Sequence, residues 1–262
     1  MRYILLKEIR GNRKTFLIWS VAVGMMGLFC ILLYQSMEAD MREMADMFSH
    51  MGAFSDAFGM STLSIATLTG YFATEVGTVH GLGGGMFAAM LAIDIISKEE
   101  EQHSGEFLFS LPVSRSKVLF SKLLCVGILL VCFAMLCALF YLAGFLYLEE
   151  EVPEEFVAFI LRQLGMTMEI AAICFGISAM SGKSKIGLGL GITLFFYFYD
   201  LLGRVVPDIE DYLFLGPYSY ANASEIFTGV EPSMESLITA ILVSLAFIGF
   251  GFFVFERRDL AS

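Results

Sequence analysis

Glu75, His80, Glu169 and Asp200 are ionisable side chains placed inside long apolar runs. An ionisable group in a membrane-crossing helix costs about 2.5–3.5 kcal/mol to insert, so each is a candidate member of a polar translocation path. Glu75 and Asp200 lie near the outer ends of their runs, where reaching the headgroup layer is the favoured reading. Glu169 is the deepest, and either a polar path or an internal hydrogen-bond donor accounts for it. The remaining reactive side chains do not assemble into a catalytic site. The histidines His50, His80 and His103 are scattered, and Glu100-Glu101 lacks the arginine that a Glu-Glu-x-x-x-Arg intramembrane protease site requires. No spacing supplies a metal-ligand set. The five cysteines (Cys30, Cys125, Cys132, Cys137 and Cys174) all sit in apolar runs, as small buried side chains do. Gly182-Lys183-Ser184 resembles the end of a phosphate-cradling loop. However, five residues separate Gly176 from Gly182 where the motif has four, and no strand–helix unit comes after it. The chain is not expected to be an enzyme, to bind a cofactor or to hold a metal.

The elements that position these groups are read from hydropathy. Of the 262 residues 57% are hydrophobic and 16% charged. A soluble domain carries about 25% charged residues, so this composition calls for a lipid solvent. Six runs reach the roughly 20 residues that a helix needs to cross a bilayer core. They cover about 15–35, 71–97, 118–148, 156–180, 186–203 and 237–255, and residues 1–262 read as a single all-α integral membrane domain. The basic start leads into a run too long for a cleavable signal, so the first span is expected to be retained.

Charge sets the orientation. Of the sixteen lysines and arginines, all but Arg42, Arg162 and Arg204 flank the first span's start, the second-to-third and fourth-to-fifth connections, or the end of the sixth span. Basic residues collect on the cytoplasmic side. An even number of spans with both termini there is self-consistent, and the expected location is the cell membrane. Acidic residues cluster on the other side, with Glu149, Glu150, Glu151, Glu154 and Glu155 in one turn. The net charge of −11 says little in a chain whose two sides must be counted separately, but no basic arm or stripe stands beyond the membrane flanks, which argues against nucleic acid as a partner.

Two stripes carry packing information. Ala73, Gly77, Gly81, Gly85 and Ala89 recur at every fourth position of the second span. Small residues at that spacing let helix backbones approach closely, and lining of a path is the alternative. Met37, Met41, Met44, Phe48 and Met51 keep helical spacing beyond the first span, opposite Glu38, Asp40, Glu43, Asp46 and Ser49. That pattern fits an amphipathic outer helix. A methionine ladder can also bind Cu(I), but plain apolar surface is the expected reading.

The segment 98–122, KEEEQHSGEFLFSLPVSRSKVLFSK, is too polar to enter the bilayer, yet it holds an apolar block at Phe107, Leu108, Phe109, Leu111 and Val113. Such a block on a short connection must be covered by lipid or by another protein. Pro112 ends a helix or turn at Leu111, and Ser114 is placed to cap the next helix.

This segment resembles the connection between spans two and three of type-2 ABC transporter permeases. The matching residues are Glu99–Glu101, Glu106-Phe107-Leu108, Leu111-Pro112-Val113-Ser114-Arg115 and Lys122; the family's Gly-Thr stands here as His103-Ser104, with the glycine at Gly105. The amphipathic start Tyr3–Lys14 and the ending Phe255-Glu256-Arg257-Arg258-Asp259-Leu260 also resemble that family.

The resemblance implies a type V exporter-like fold. It comprises six spans, an N-terminal interface helix, a cytoplasmic coupling helix between spans two and three, and helices on the outer face between spans five and six. It implies that Glu99, Glu101, Glu106, Phe107, Leu108, Leu111, Pro112 and Arg115 couple to a separate ATP-binding subunit present in two copies. ATP and Mg would be held there. A second permease chain, identical or homologous, would complete an ATP-driven exporter in membrane lipid. Substrate identity is not implied. A membrane-bound immunity or sensor protein binding a peptide at its outer face is the competing reading. An ion-coupled transporter would call for inverted repeats, and no such symmetry is visible.

Overall fold

A computed structural model describes residues 2–49, 51, 52, 55, 57, 60, 63–98, 114–181 and 183–257. The described residues are helical with no strand, and six helices are long and apolar enough to cross a membrane. They are α1 (Arg2–Ser49), α2 (Leu68–Asp94), α3 (Arg115–Tyr147), α4 (Phe156–Ser178), α5 (Ile186–Gly203) and α6 (Met234–Arg257).

α1 joins two elements that the sequence suggests are separate. The surface-helix pattern at Tyr3–Lys14 and the first span form one unbroken helix that continues to Ser49. No proline interrupts it, and the only glycine before the span, Gly11, is tolerated at modest cost. At about 1.5 Å per residue the helix is about 72 Å long, more than twice the hydrocarbon thickness, so it projects beyond the bilayer. The first part of the projecting methionine stripe faces the protein, with Met41 buried and Met37 and Met44 packed against the core, whereas Met51 is exposed.

Thr67 starts α2. Its Oγ1 accepts a hydrogen bond from the Gly70 backbone N–H at 3.1 Å. The helix then widens into a π-turn over Phe72–Val76 before resuming an α-helical course. One extra residue per turn rotates the rest of the helix about its axis, and it leaves Glu75 exposed while its neighbours are buried. α2 is the centre of the bundle, packed on α1, α4 and α5; α1 lies along α3, and α6 lies outside α4.

Aromatic rings fill the half of the core near the α3–α4 turn. Phe72 meets Tyr141, Phe145, Phe156, Phe159 and Phe227 at centroid separations of 5.3–6.2 Å. Between apolar helices in lipid, burial adds little, so this close van der Waals contact and small-residue packing hold the helices together. Where α4 crosses α6, a methyl group on Gly176 would lie 2.6 Å from the Phe247 carbonyl. α3 ends with Glu149 in the left-handed conformation (φ 57°), and the Glu150 N–H reaches back to the Phe145 carbonyl at 3.1 Å. That is the hydrogen-bond pattern of a Schellman stop, made here without glycine.

Candidate functional site

At the basic end of the bundle, α1, α2 and α3 are joined by buried charge. Glu8 of α1 is 2% exposed, and its Oε1 accepts a hydrogen bond from Lys122 Nζ of α3 at 3.0 Å. Lys122, 1% exposed, also donates to the Ile95 carbonyl at the end of α2, at 2.6 Å. Lys98 Nζ lies 2.6 Å from Glu8 Oε2, an ion pair outside hydrogen-bond geometry. A buried ion pair is strong only when its partners are held in good geometry; here three helix segments supply that geometry. Nearby, Arg115 at the start of α3 donates to the Phe255 carbonyl of α6 at 3.4 Å, and the Ser116 hydroxyl bonds the Glu256 carboxylate. Lys98 and Arg115 thus stand at the two roots of the 99–113 connection, each fastened to a different helix.

Of the residues expected to couple to an ATP-binding subunit, Glu99, Glu101, Glu106, Phe107, Leu108, Leu111 and Pro112 lie outside the described residues. Only Arg115 is placed. Ser114 precedes α3 in extended conformation, and its carbonyl accepts from the N–H groups of Lys117 and Val118 at 3.0 and 3.3 Å. Its side chain makes no capping bond.

The acidic end carries a polar cavity of about 60 Å³, room for a few water molecules. Thr74, Gly77, Thr78 and Gly81 of α2 line it, with Gln163 of α4, Asp200 of α5 and a segment that folds back between α5 and α6. That segment turns through Pro207–Glu210, Leu213–Leu215 and Ala223–Phe227. Tyr218 donates its hydroxyl to the Gly81 carbonyl at 3.2 Å, and Gln163 Nε2 donates to the Ala221 carbonyl at 2.8 Å. The second bond aligns the Gln163 amide, whose buried Oε1 has no hydrogen-bond partner among the described residues.

Asp200 receives a two-pronged contact from Arg204, at 2.9 and 3.1 Å, and Arg204 also bonds Glu225 of the folded-back segment. Burial alone would lower the pKa of the Arg204 guanidinium. The two carboxylates outweigh burial and hold it above its ordinary value. The three basic residues that depart from the charge asymmetry each have an acid partner. Arg204 has Asp200 and Glu225, Arg42 has Glu38 at 2.7 Å, and Arg162 has Glu231 at 3.0 Å.

Glu75, His80, Glu169 and Asp200 occupy four different surroundings. Glu75 is exposed on the π-turn. His80 is 1% exposed within the aromatic core, with Nδ1 2.9 Å from the Tyr141 hydroxyl and rings of Phe133 and Phe159 beside it. Asp200 borders the polar cavity. Glu169 Oε2 accepts from the Tyr220 hydroxyl at 2.9 Å and lines a separate groove between α4 and α6. Burial, then the neighbouring carboxyl group, raises the Tyr220 phenol above its ordinary range.

The stripe Ala73, Gly77, Gly81, Gly85 and Ala89 is buried throughout and faces other parts of this same chain. A methyl group on Gly77 would meet Ala223 at 2.5 Å, and one on Gly85 would meet Tyr218 Oη at 2.6 Å and Thr193 Cγ2 at 2.9 Å. The Ala89 carbonyl would lie 3.2 Å from a methyl group on Gly189 of α5. Gly81 is roomier, with Gln163 and Tyr218 at 3.5 and 3.6 Å, because it borders the cavity.

Glu8, Gln163, Arg204 and Tyr220 were not legible as site residues from the sequence. Lys122 left a signal, since a lysine inside the run VLFSKLLCVG needs a buried anion, but nothing local says which one.

Six apolar helices enclosing ion pairs and a polar cavity define a multi-pass membrane protein. The family model described as ABC-2 family transporter protein matches residues 2–260, nearly the whole length, and the chain belongs to that family. It is accordingly a membrane permease component of an ABC transporter, the subunit that crosses the membrane and not the ATPase, and the family implies an ATP-binding subunit as its partner. No individual curated protein matches it.

Proposed function

We propose that this chain is the permease of an ATP-driven exporter in the cell membrane, with its basic end and both termini in the cytoplasm. Residues 99–116 dock against a separate ATP-binding subunit, which holds ATP and Mg. Two such subunits and two permease chains, identical or homologous, form the working unit. The observation that carries the coupling part is the buried cluster at the roots of the 99–113 connection. Lys98 is paired to α1 through Glu8, which Lys122 of α3 also engages, while Arg115 is tied to α6. A force applied to the connection therefore reaches four helices, α1, α2 and α3 through the buried Glu8–Lys122 contacts and α6 through the part-buried Arg115. A loop merely resting on lipid gains nothing from such anchoring.

Phe107 and Leu111 are four apart, so on a helix they share one face, the one assigned to the ATPase groove. Changing both to aspartate places charge at a protein contact, costing several kcal/mol if enclosed. The permease should insert normally and lose its ATPase on copurification. Retention of the ATPase at normal stoichiometry removes this face from the interface.

A further inference from the structure

The groove between α4 and α6 joins two properties that are rarely neighbours. It is about 380 Å³ in volume, open along the side of the bundle, and walled by Met168, Ala240, Ile241 and Leu245. At its floor lies the Glu169 carboxyl group, which uses one oxygen to accept the Tyr220 hydrogen bond and has no other bond among the described residues. An acceptor left in apolar surroundings is expensive unless something donates to it.

Depth selects among the possible donors. Glu169 is thirteen residues from Phe156 and nine from Ser178 along α4, about 20 and 14 Å from its two ends. A phospholipid in the groove would hold its headgroup near a bilayer surface, about 15 Å from the midplane, and would present only acyl chain to the carboxyl. Water fits the carboxyl but not the apolar walls. A molecule with an apolar body and one cationic donor satisfies both. The body replaces lipid against Ile241 and Leu245, and the donor makes a charge-assisted bond to Glu169, the strong kind in a low-dielectric setting.

We propose that the α4–α6 groove binds a lipophilic amine taken from the bilayer, its ammonium group on Glu169 and its apolar body between α4 and α6. The assignment deepens the exporter reading by naming a substrate class, and it rests on that reading for its biological consequence. Binding itself requires neither the ATPase nor transport, so the two can fail separately.

The test uses the purified permease in phosphatidylcholine nanodiscs and three photoactivatable twelve-carbon probes: a primary amine, an alcohol and a carboxylic acid. The amine should label the α6 stretch 237–245 saturably, and unlabelled dodecylamine should compete. Glu169→Gln is nearly isosteric and can still accept from Tyr220, so the fold should hold while amine labelling falls by about tenfold or more. Ala240→Phe fills the groove while keeping Glu169 itself and should block labelling as well. Equal labelling by alcohol and amine overturns the proposal, as does labelling unaffected by Glu169→Gln. Labelling that dodecylamine cannot compete away, or α6 crosslinked to a second permease copy so that the amine is excluded, overturns it too. Failure of the unmodified permease to copurify with an ATPase would refute the exporter reading and leave this result untouched.

Discussion

Replacing Lys122 with methionine keeps the length of an unbranched side chain and removes its charge. The substitution deletes the 3.0 Å bond to Glu8 and the 2.6 Å bond to the Ile95 carbonyl, both buried. Hydrogen bonds from a charged donor contribute about 1.5–3 kcal/mol each. The direct attraction at 3.0 Å is about 5 kcal/mol at an effective dielectric of about 20, before the desolvation of both ions is counted against it. Breaking a buried pair from one side typically costs about 3–5 kcal/mol, because the remaining charge is stranded. Lys98 still neutralises Glu8 at 2.6 Å, so the loss should fall at the lower end, about 3 kcal/mol.

Reversible unfolding in mixed micelles with rising denaturing-detergent fraction, followed by Trp19 fluorescence or circular dichroism, measures the loss. Glu8→Gln should be costly alone, and the double variant should be less destabilised than the two single losses combined, since no anion is left facing the missing lysine. A Lys122→Met loss below about 1 kcal/mol, or a strictly additive cycle, would refute the argument that this cluster ties α1, α2 and α3 together.

The glycine stripe should respond unevenly to alanine. Gly85→Ala forces a methyl group against Tyr218 and Thr193 and should destabilise by about 1–3 kcal/mol, whereas Gly81→Ala meets only ordinary contacts and should be neutral or mildly stabilising in the same unfolding assay. Equal effects at the two sites would mean that the seam is not where the structure puts it. Glu149→Gly should stabilise the end of α3 by about 0.5–1 kcal/mol, since glycine takes the left-handed conformation without a Cβ clash; a loss of thermal stability counts against this. For orientation, single cysteines at Ser104 and Ser262 in a cysteine-free background should resist impermeant reagents in intact cells, while one at Ser233 reacts. Labelling at Ser104 from outside reverses the topology.

Much of the architecture is written in one-dimensional quantities. The six apolar runs and the uneven distribution of lysine and arginine require only composition and spacing, because lipid imposes the same demand on every spanning helix, while the motif at 106–115 was legible through its resemblance to a family. Local chemistry allows the continuity of α1: no proline stands between Arg2 and Ser49, so no residue there removes a helical hydrogen bond at the membrane surface. Glu169 was visible as an anomaly, a charge in the wrong solvent, whereas Lys122 read only as one of the basic residues flanking the second-to-third connection.

Their partners were not visible. Glu8 and Lys122 are 114 positions apart, and Tyr220 reaches Glu169 across 51. A pairing of that kind depends on how far each helix is rotated about its axis, and no local signal carries rotation. The π-turn at Phe72–Val76 shows why. One extra residue turns the remaining length of α2 and exposes Glu75, and the sequence pattern of the stripe remains unchanged. The stripe itself announces close approach but not against what. The partners of Gly77 and Gly85 include Ala223 and Tyr218, in a segment that folds back from beyond α5. Sequence therefore determined which segments cross the membrane and which side chains needed partners there. Tertiary structure decided which partners they have, because a buried charge or a bare backbone can be satisfied by any chain segment that packing brings within about 3 Å.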